Sequence, residues 1–316
     1  MNDKRAAVID LGTNTFHVLM VELNDGGFDI LYKEKVPVKI GQGGISKNII
    51  TLEAQKRAYH TIGHFKHLIE GEKIQKIYVF ATSAVRNAEN GSEFVAEVLK
   101  RFDLKVNVID GDREAQLIYE GIKFSGILNS STFLMMDIGG GSVEFIIGNA
   151  HEAFWKQSFE IGGLRLLELY PSQDRILPAQ VEELMLFFET HLCPLVEAMA
   201  KFRPTQLVGA SGTFDTLTDM YYASCQKTKS RDQKNFLLPK SSFDELYLKL
   251  INLNKADRLK IPGMIPMRVD MIVVAVILIE HILRKADFPE VICSTYALKE
   301  GVIAQLVRSR EAIFIS

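Results

Sequence analysis

A loop of glycines with hydroxyl and amide residues occurs twice in this chain, each time directly after an aspartate: Asp10-Leu11-Gly12-Thr13-Asn14-Thr15-Phe16 and Asp137-Ile138-Gly139-Gly140-Gly141-Ser142-Val143. Apolar runs flank both loops, Ala6-Ala7-Val8-Ile9 and Phe16 to Val21 around the first, Phe133-Leu134-Met135-Met136 and Val143 to Ile147 around the second. Each therefore reads as strand, tight turn, strand. Glycine lets the backbone turn sharply and approach a ligand, while successive N–H groups and hydroxyls form a nest for an anion. A single such turn is most often an ordinary hairpin. The whole pattern recurs after 127 residues, about the length of one domain. The repeat predicts an α/β protein of duplicated domains that face each other across a cleft and grip a phosphate chain from both sides.

Composition narrows the class. The 316 residues are 47% hydrophobic and 24% charged, enough for a large core. A formal net charge of −2 argues against bulk binding to nucleic acid or an anionic membrane, so anion selectivity has to be local. The longest apolar stretch, Met271 to Ile279, is far shorter than the roughly 20 residues of a membrane helix and reads as a buried core helix. Met1-Asn2-Asp3-Lys4-Arg5 runs into the first strand without an export signal, and Cys193, Cys225 and Cys293 lack metal-like spacing. Both point to reduced thiols and a cytoplasmic protein.

The first copy opens as an antiparallel meander, followed by a helix from about Thr51, a strand over Lys76 to Ala81, a helix over Ser92 to Arg101, a strand over Lys105 to Ile109 and a helix over Glu114 to Gly121. Strands alternating with helices predict mixed sheets with helices packed on them. The second copy repeats the plan to the strand Gln206 to Gly209, after which helices are expected to dominate. Lys227 to Lys240 is polar without periodicity and reads as an exposed insertion.

Phosphoryl chemistry needs donors for phosphate oxygens, a divalent cation and a group that orients or deprotonates the nucleophile. Asp10 and Asp137 sit at strand ends beside the loops, where a carboxylate holds Mg²⁺ directly or through water; the alternative is that each bonds its own turn. Glu144 lies two residues past Ser142 and shares its face, either metal-directed or at an exposed edge. Arg86, at a strand-to-helix junction, has the reach to a cleft phosphate or to a surface ion pair. Glu114, in Asp110-Gly111-Asp112-Arg113-Glu114-Ala115, suits a carboxylate near attacking water. His60, His64 and His67 have ligand-like spacing but fall opposite the apolar stripe of their helix, so they face solvent. A basic groove of Lys33, Lys35, Lys39 and Arg165 competes with the plainer reading of solvated surface charge.

Taken in order, these segments resemble the exopolyphosphatase and guanosine pentaphosphate phosphatase (Ppx/GppA) family, within the superfamily of actin, sugar kinases and heat-shock chaperones. The resemblance also rests on Ala81-Thr82-Ser83-Ala84-Val85-Arg86-Asn87-Ala88, Val108 to Tyr119, Val208-Gly209-Ala210-Ser211-Gly212-Thr213 and Ala297-Leu298-Lys299-Glu300-Gly301-Val302. It implies two actin-like (ribonuclease H-like) domains, over 1–124 and 125–299, with a C-terminal helix at about 300–316 packing back on the first. It implies the short form, without the additional helical domain of longer members. By position it makes Glu114 the catalytic base, Arg86 a phosphate-contacting catalytic arginine, and Asp137 and Glu144, with Asp10, the acids that hold Mg²⁺. Gly12, Thr13, Asn14, Thr15, Gly139, Gly140, Gly141 and Ser142 become the phosphate-binding turns, and Arg268 faces the substrate from the second domain.

Two departures stand out. His17 occupies a position where some members carry arginine, which makes that contact weaker or pH-dependent. Arg113-Glu114 replaces a pair of acids and leaves a single candidate base. The expected activity is Mg²⁺-dependent release of terminal phosphate from inorganic polyphosphate, guanosine pentaphosphate or both. A superfamily kinase using ATP and a non-enzymatic alarmone sensor are the alternatives; no nucleic-acid or membrane partner is expected, and a homodimer is compatible with the reading.

Overall fold

The computed structural model describes residues 4–171, 174–230 and 232–309. The first half holds β1 (Arg5–Leu11), β2 (Phe16–Asn24), β3 (Gly27–Val36), α1 (Leu52–Gly71), β4 (Lys76–Ala81), α2 (Ser83–Arg86), α3 (Gly91–Phe102), β5 (Val106–Val108) and α4 (Gly111–Phe124). Its sheet runs β3-β2-β1-β4-β5, antiparallel through β1 and parallel beyond it. The second half holds β6 (Phe133–Ile138), β7 (Val143–Gly148), β8 (Ala153–Phe159), α5 (Gly163–Leu169), α6 (Pro178–His191), α7 (Cys193–Phe202), β9 (Gln206–Ala210), α8 (Ser211–Ser224), β10 (Asn235–Pro239), α9 (Lys240–Asn252), α10 (Lys255–Leu259), α11 (Met271–Leu283), β11 (Glu290–Ser294) and α12 (Leu298–Ser309). Read from the other edge, its sheet runs β8-β7-β6-β9-β11 with the same sense of pairing, and β10 is added outside. The duplication inferred from two loops is thus a duplication of the whole sheet, and the mixed α/β class expected from the sequence is the one observed.

Local chemistry accounts for the elements that carry the site. Thr51 caps α1, its hydroxyl accepting from the Ala54 amide at 3.3 Å, and Ala54, Ala58, Ile62, Phe65 and Ile69 form the buried stripe. His60, His64 and His67 are exposed, as their offset from that stripe requires. Asp110 caps α4 by accepting from the Arg113 amide at 2.7 Å, which fixes Glu114 in the first turn. The apolar run from Met271 is α11, buried on nearly every side.

One expectation fails. Within Lys227 to Lys240, residues Asn235–Pro239 form the edge strand β10, antiparallel to β11, with Phe236 and Leu238 buried and Leu237 outside. The alternation is real, but only five residues long and hidden between charged neighbours. The helices expected after Thr213 are likewise interrupted by β10 and β11. The expected C-terminal helix is present as α12, and its stretch beyond Ser309 lies outside the described residues.

Two cores lie on the outer faces of the sheets. A third joins the halves: Val8, Leu19 and Phe80 from the first sheet, Met135, Ile146 and Val208 from the second, with Leu117 and Ile118 of α4 and Val302 and Ile303 of α12 between them. The two helices cross backbone to backbone. A Cβ on Gly301 would lie 1.8 Å from the Leu117 carbonyl oxygen, and one on Gly121 would lie 2.0 Å from that of Ala297.

Gly301→Ala is therefore expected to destabilise the protein by about 1–3 kcal/mol, the usual cost of overpacking. Gly71→Ala, where an added Cβ meets nothing within 4 Å, serves as the neutral or slightly stabilising control. Urea denaturation of both variants decides it, and equal midpoints would refute the close crossing.

Candidate active site

The two glycine loops meet at the floor of the cleft between the sheets. Thr13 and Asn14 turn their carbonyls outward to the amides of Gly41 and Lys39, at 3.1 and 2.8 Å. Gly139, Gly140 and Gly141 do the same toward the start of α5, accepting from Gly163, Leu164 and Gly162 at 2.9, 2.8 and 3.0 Å. In a planar trans peptide the C=O and the following N–H point in opposite directions. Both loops therefore turn their free amides toward the cavity they line. Contact between the loops is close, since a Cβ on Gly141 would lie 2.7 Å from Thr13 Oγ1 and 2.4 Å from Ser83 Oγ. Asn14 Nδ2 and Thr15 Oγ1 are buried here without a hydrogen-bond partner.

Five acids line this cavity, Asp10, Glu114, Asp137, Glu144 and Asp215, and four of them cluster about the loops. Asp137 and Glu144 are directly opposed across β6 and β7, so their side chains lie on one face. Asp137 accepts from Ser211 Oγ at 2.7 Å, and Glu144 from Ser158 Oγ at 2.7 Å. Asp10 occupies the equivalent position on β1, opposite His17. Glu114 accepts from Arg86 Nη1 at 2.7 Å; that nitrogen also donates to the Ile109 carbonyl at 3.0 Å, and Arg86 Nη2 donates to Glu160 at 2.9 Å. The cavity measures about 120 Å³, roughly ten times what one water needs.

Burial and mutual repulsion set the protonation of this group. Desolvation, opposed by Lys299 and helped by the Asp137 charge, pushes Asp10 up to about 7. Desolvation raises Asp137 to about 6 against the pull of Ser211 and Lys299. It also raises Glu114 to about 8, despite Arg86, with Asp10 and Asp137 adding to the rise. Glu144 is pushed well above the usual carboxylate range by burial and by Glu114. His17 moves the other way. Burial, with Lys299, Lys35 and Arg268 nearby, holds its imidazole neutral through the physiological range, so the expected pH-dependent contact there is replaced by a neutral one.

Every expected site residue but one lines the cavity. Arg86 stands behind Glu114 instead, clasped between it and Glu160. Glu160 also accepts from Ser83 Oγ at 2.6 Å and Arg165 Nη2 at 2.9 Å, tying the two halves together. Arg165 is thereby engaged, and bonds the Gly141 and Ile45 carbonyls as well, rather than forming an open basic groove. The sequence reading missed Lys299, Asp215 and Ser211, all in the cavity wall. Ser211, at a φ of 67°, is the first residue of α8, directly after β9, in the Ala210-Ser211-Gly212-Thr213 segment that was its only signal. Lys299 and Glu300 were visible only as part of a motif.

A protein-family model described as the Ppx/GppA phosphatase family matches residues 19–310. Over 218 residues the chain is 31% identical to a guanosine-5'-triphosphate,3'-diphosphate pyrophosphatase of Vibrio cholerae serotype O1, covering 69% of this chain and 44% of that protein. The chain thus spans about half the length of the curated relatives it matches. A crystal structure of an exopolyphosphatase from Cytophaga hutchinsonii superposes with a TM-score of 0.94 at 41% identity, covering 96% of this chain and 98% of that one. An Aquifex aeolicus Ppx/GppA family member shares the fold, with a TM-score of 0.80 at 21% identity over 97% and 98% of the two chains.

A carboxyl that keeps its proton in the fold but loses it in the unfolded chain stabilises the fold below its ordinary pKa, and the stabilisation drains away as pH rises toward the folded value. Each such group contributes a slope of up to about 1.4 kcal/mol per pH unit. With Asp10 raised from 3.8 to about 7 and Glu114 from 4.5 to about 8, the melting temperature in EDTA is expected to fall from about pH 4.5 to about 8, Asp10's share being lost mainly below pH 7. Asp10→Asn should flatten that fall, and an unchanged slope would show that Asp10 carries its charge in the folded protein.

Proposed function

The chain belongs to the Ppx/GppA phosphatase family, and from that premise we propose that it is a Mg²⁺-dependent phosphohydrolase releasing terminal phosphate from inorganic polyphosphate, from guanosine pentaphosphate, or from both. The observation that carries this reading is the placement of Glu114 in the same cavity as two opposed phosphate loops, fixed by Arg86. The loops would serve a kinase or a hydrolase, and Glu114 is placed to take the proton of an attacking water. A carboxylate raised to about 8 is matched to proton transfer near neutral pH.

The acids suit a hard divalent cation. Asp10, Asp137 and Glu144 offer oxygen donors only, and burial, with the neighbouring acids adding to it, raises the pKa of each. Among the described residues no three His, Cys, Asp or Glu side chains converge as a closed metal site. An incomplete protein set is what Mg²⁺ tolerates, because it keeps waters and takes substrate phosphate oxygens as ligands. When bound, the ion neutralises charge on the phosphoryl oxygens.

The chain's own residues supply the rest. Amides of the Gly12–Thr15 and Gly139–Ser142 loops and the Thr13, Thr15 and Ser142 hydroxyls hold the phosphoryl oxygens, with Arg268 adding formal charge. Arg86 orients Glu114 through Nη1 while Glu160 and the Ile109 carbonyl keep the guanidinium in place. The 2.7 Å bond from Ser211 holds the Asp137 carboxylate within the cavity wall. Glu114 accepts the proton of the attacking water, which adds to the terminal phosphorus as the bridging oxygen leaves with the shortened chain. Free thiols at Cys193, Cys225 and Cys293 support a cytoplasmic setting for this chemistry, and no helix among the described residues is long and apolar enough to cross a membrane.

Glu114→Gln is expected to lower kcat about a hundred- to ten-thousand-fold while keeping polyphosphate binding. Phosphate release from long-chain polyphosphate and from guanosine pentaphosphate, side by side with Mg²⁺ and with EDTA, measures both the assignment and the metal dependence. Wild-type release by the variant would overturn the role of Glu114. Transfer from ATP to an added acceptor without net release would overturn hydrolysis itself.

A further inference from the structure

Away from the cavity between the sheets, the second half carries a surface whose composition its own fold does not account for. α6 and α9 both pack on α11, and a groove of about 450 Å³ is lined by the two of them. Its floor is apolar, with Ile176, Val181 and Met185 on the α6 side and Tyr247 and Ile251 on the α9 side. The lips are apolar as well. Leu177, the N-cap of α6, stands between the groove residues Ile176 and Pro178. Leu186 lies one helical turn beyond Glu182 and Leu248 one turn before Asn252, both of which line the groove. These three leucines are 60, 69 and 57% exposed. A single exposed leucine is ordinary on a protein surface, but three around one apolar groove mark a contact surface.

Charge about the groove is sorted by side. The α6 lip carries Glu182 and Glu183, both exposed. On the α9 lip Lys249 stands beside Leu248, and Arg175 is held there by the Asn252 side chain, to which its Nη2 donates at 2.8 Å. Among the described residues none of these four charges forms an ion pair. Arg284, at the end of α11, adds a further cation to the groove and engages Glu280 through Nε at 2.7 Å. An isologous contact needs both signs on one patch, because each charge has to be answered by the same surface on the other copy. Turned about a two-fold axis, this surface sets each acidic lip against the partner's basic lip and lays the α6 ridge, led by Leu186, over the partner's groove.

We propose that this surface is the interface of a homodimer, in which α6 of each copy lies over the groove between α6 and α9 of the other. No residue of the inter-sheet cavity lines the groove, so the interface goes beyond the phosphohydrolase reading and stands independently of it.

The test is sedimentation velocity of the full chain over the micromolar range. Wild type is expected to associate into dimers, and Leu186→Glu to weaken the association by about tenfold or more, since it places a charge in an apolar contact. Two lip reversals decide the geometry: Glu182→Lys with Glu183→Lys on the acidic side, and Arg175→Glu with Lys249→Glu on the basic side. Each reversed chain sets like charges against its own copy and is expected to stay monomeric where wild type is dimeric. An equimolar mixture of the two restores opposite charges at both lips and is expected to recover the dimer, which misfolded variants would not do. A wild type that stays monomeric would overturn the proposal and leave the groove to a partner of another kind. A dimer that survives Leu186→Glu and both reversals would overturn it by placing the interface elsewhere, and reversed chains that remain apart on mixing would overturn the pairing of acidic lip with basic lip.

Discussion

Balancing buried charge is the constraint to which the rest of this molecule answers. Asp10, Glu114, Asp137 and Glu144 are drawn from water into one cavity, and no single hydrogen bond returns what that costs. Protons meet part of the cost, as the upward shifts of all four carboxyls record. Arg86 meets another part at Glu114, and Lys299 lowers both Asp10 and Asp137. The loops add no formal charge, only amides and hydroxyls. A cavity built this way holds its acids ready for a cation and its amides ready for an anion, and it gains most when both arrive together. That is the state the proposed binding of a metal-bound phosphate chain would produce.

Duplication supplied the frame, and divergence divided the work. Across three strands of the first copy the row reads Asp10, His17, Lys35; across the equivalent strands of the second it reads Asp137, Glu144, Ser158. Residues in such rows share one face of the sheet, so one ancestral row has become two different walls. The second copy gathers carboxylates. The first keeps one aspartate and then passes through a neutral imidazole to a lysine. A histidine in the middle of that row makes chemical sense: with Lys35, Lys299 and Arg268 around it, a further fixed charge would meet repulsion from three sides, and His17 escapes it by staying neutral.

Much of this was legible in the residues because strand, loop and acid are contiguous in sequence. Asp137, the glycine turn and Glu144 lie within eight positions, and period-2 alternation places Glu144 on the face of Ser142 beside the loop; that Asp137 stands directly opposite Glu144 is set by the β6–β7 register. Glu114 and Arg86 were legible through their motifs, though not the bond between them, which closes over 28 residues of sequence. Lys299 was not legible as a site residue, because a lysine near a helix start reads as solvated surface until a second sheet is laid over it. Lys35 was weighed as one of several basic residues, and only the β2–β3 register separates it from exposed Lys33. The strand β10 failed for a related reason. Its two inward residues mean little until β11, more than fifty positions later, is there to pair with.

The crossing of α4 and α12 ties these observations together. Glu114 stands in the first turn of α4 and Lys299 in the first turn of α12, and the helices touch through Gly121 and Gly301 with no side chain between them. Flexible side chains at a helix contact absorb small displacements by changing rotamer; backbone against backbone does not. The separation between the candidate base and the buried lysine is therefore held by main-chain geometry rather than by loops. Around them, Glu160 joins Arg86 of the first half to Arg165 of the second through hydrogen bonds of 2.9 Å on either side, within reach of solvent. The candidate base sits on this close crossing, and the polar clasp between the halves lies at its rim. A shift of the halves would strain the clasp before it moved Glu114 relative to Lys299, so the fold protects the geometry of the chemistry at the expense of the contacts that close the cleft.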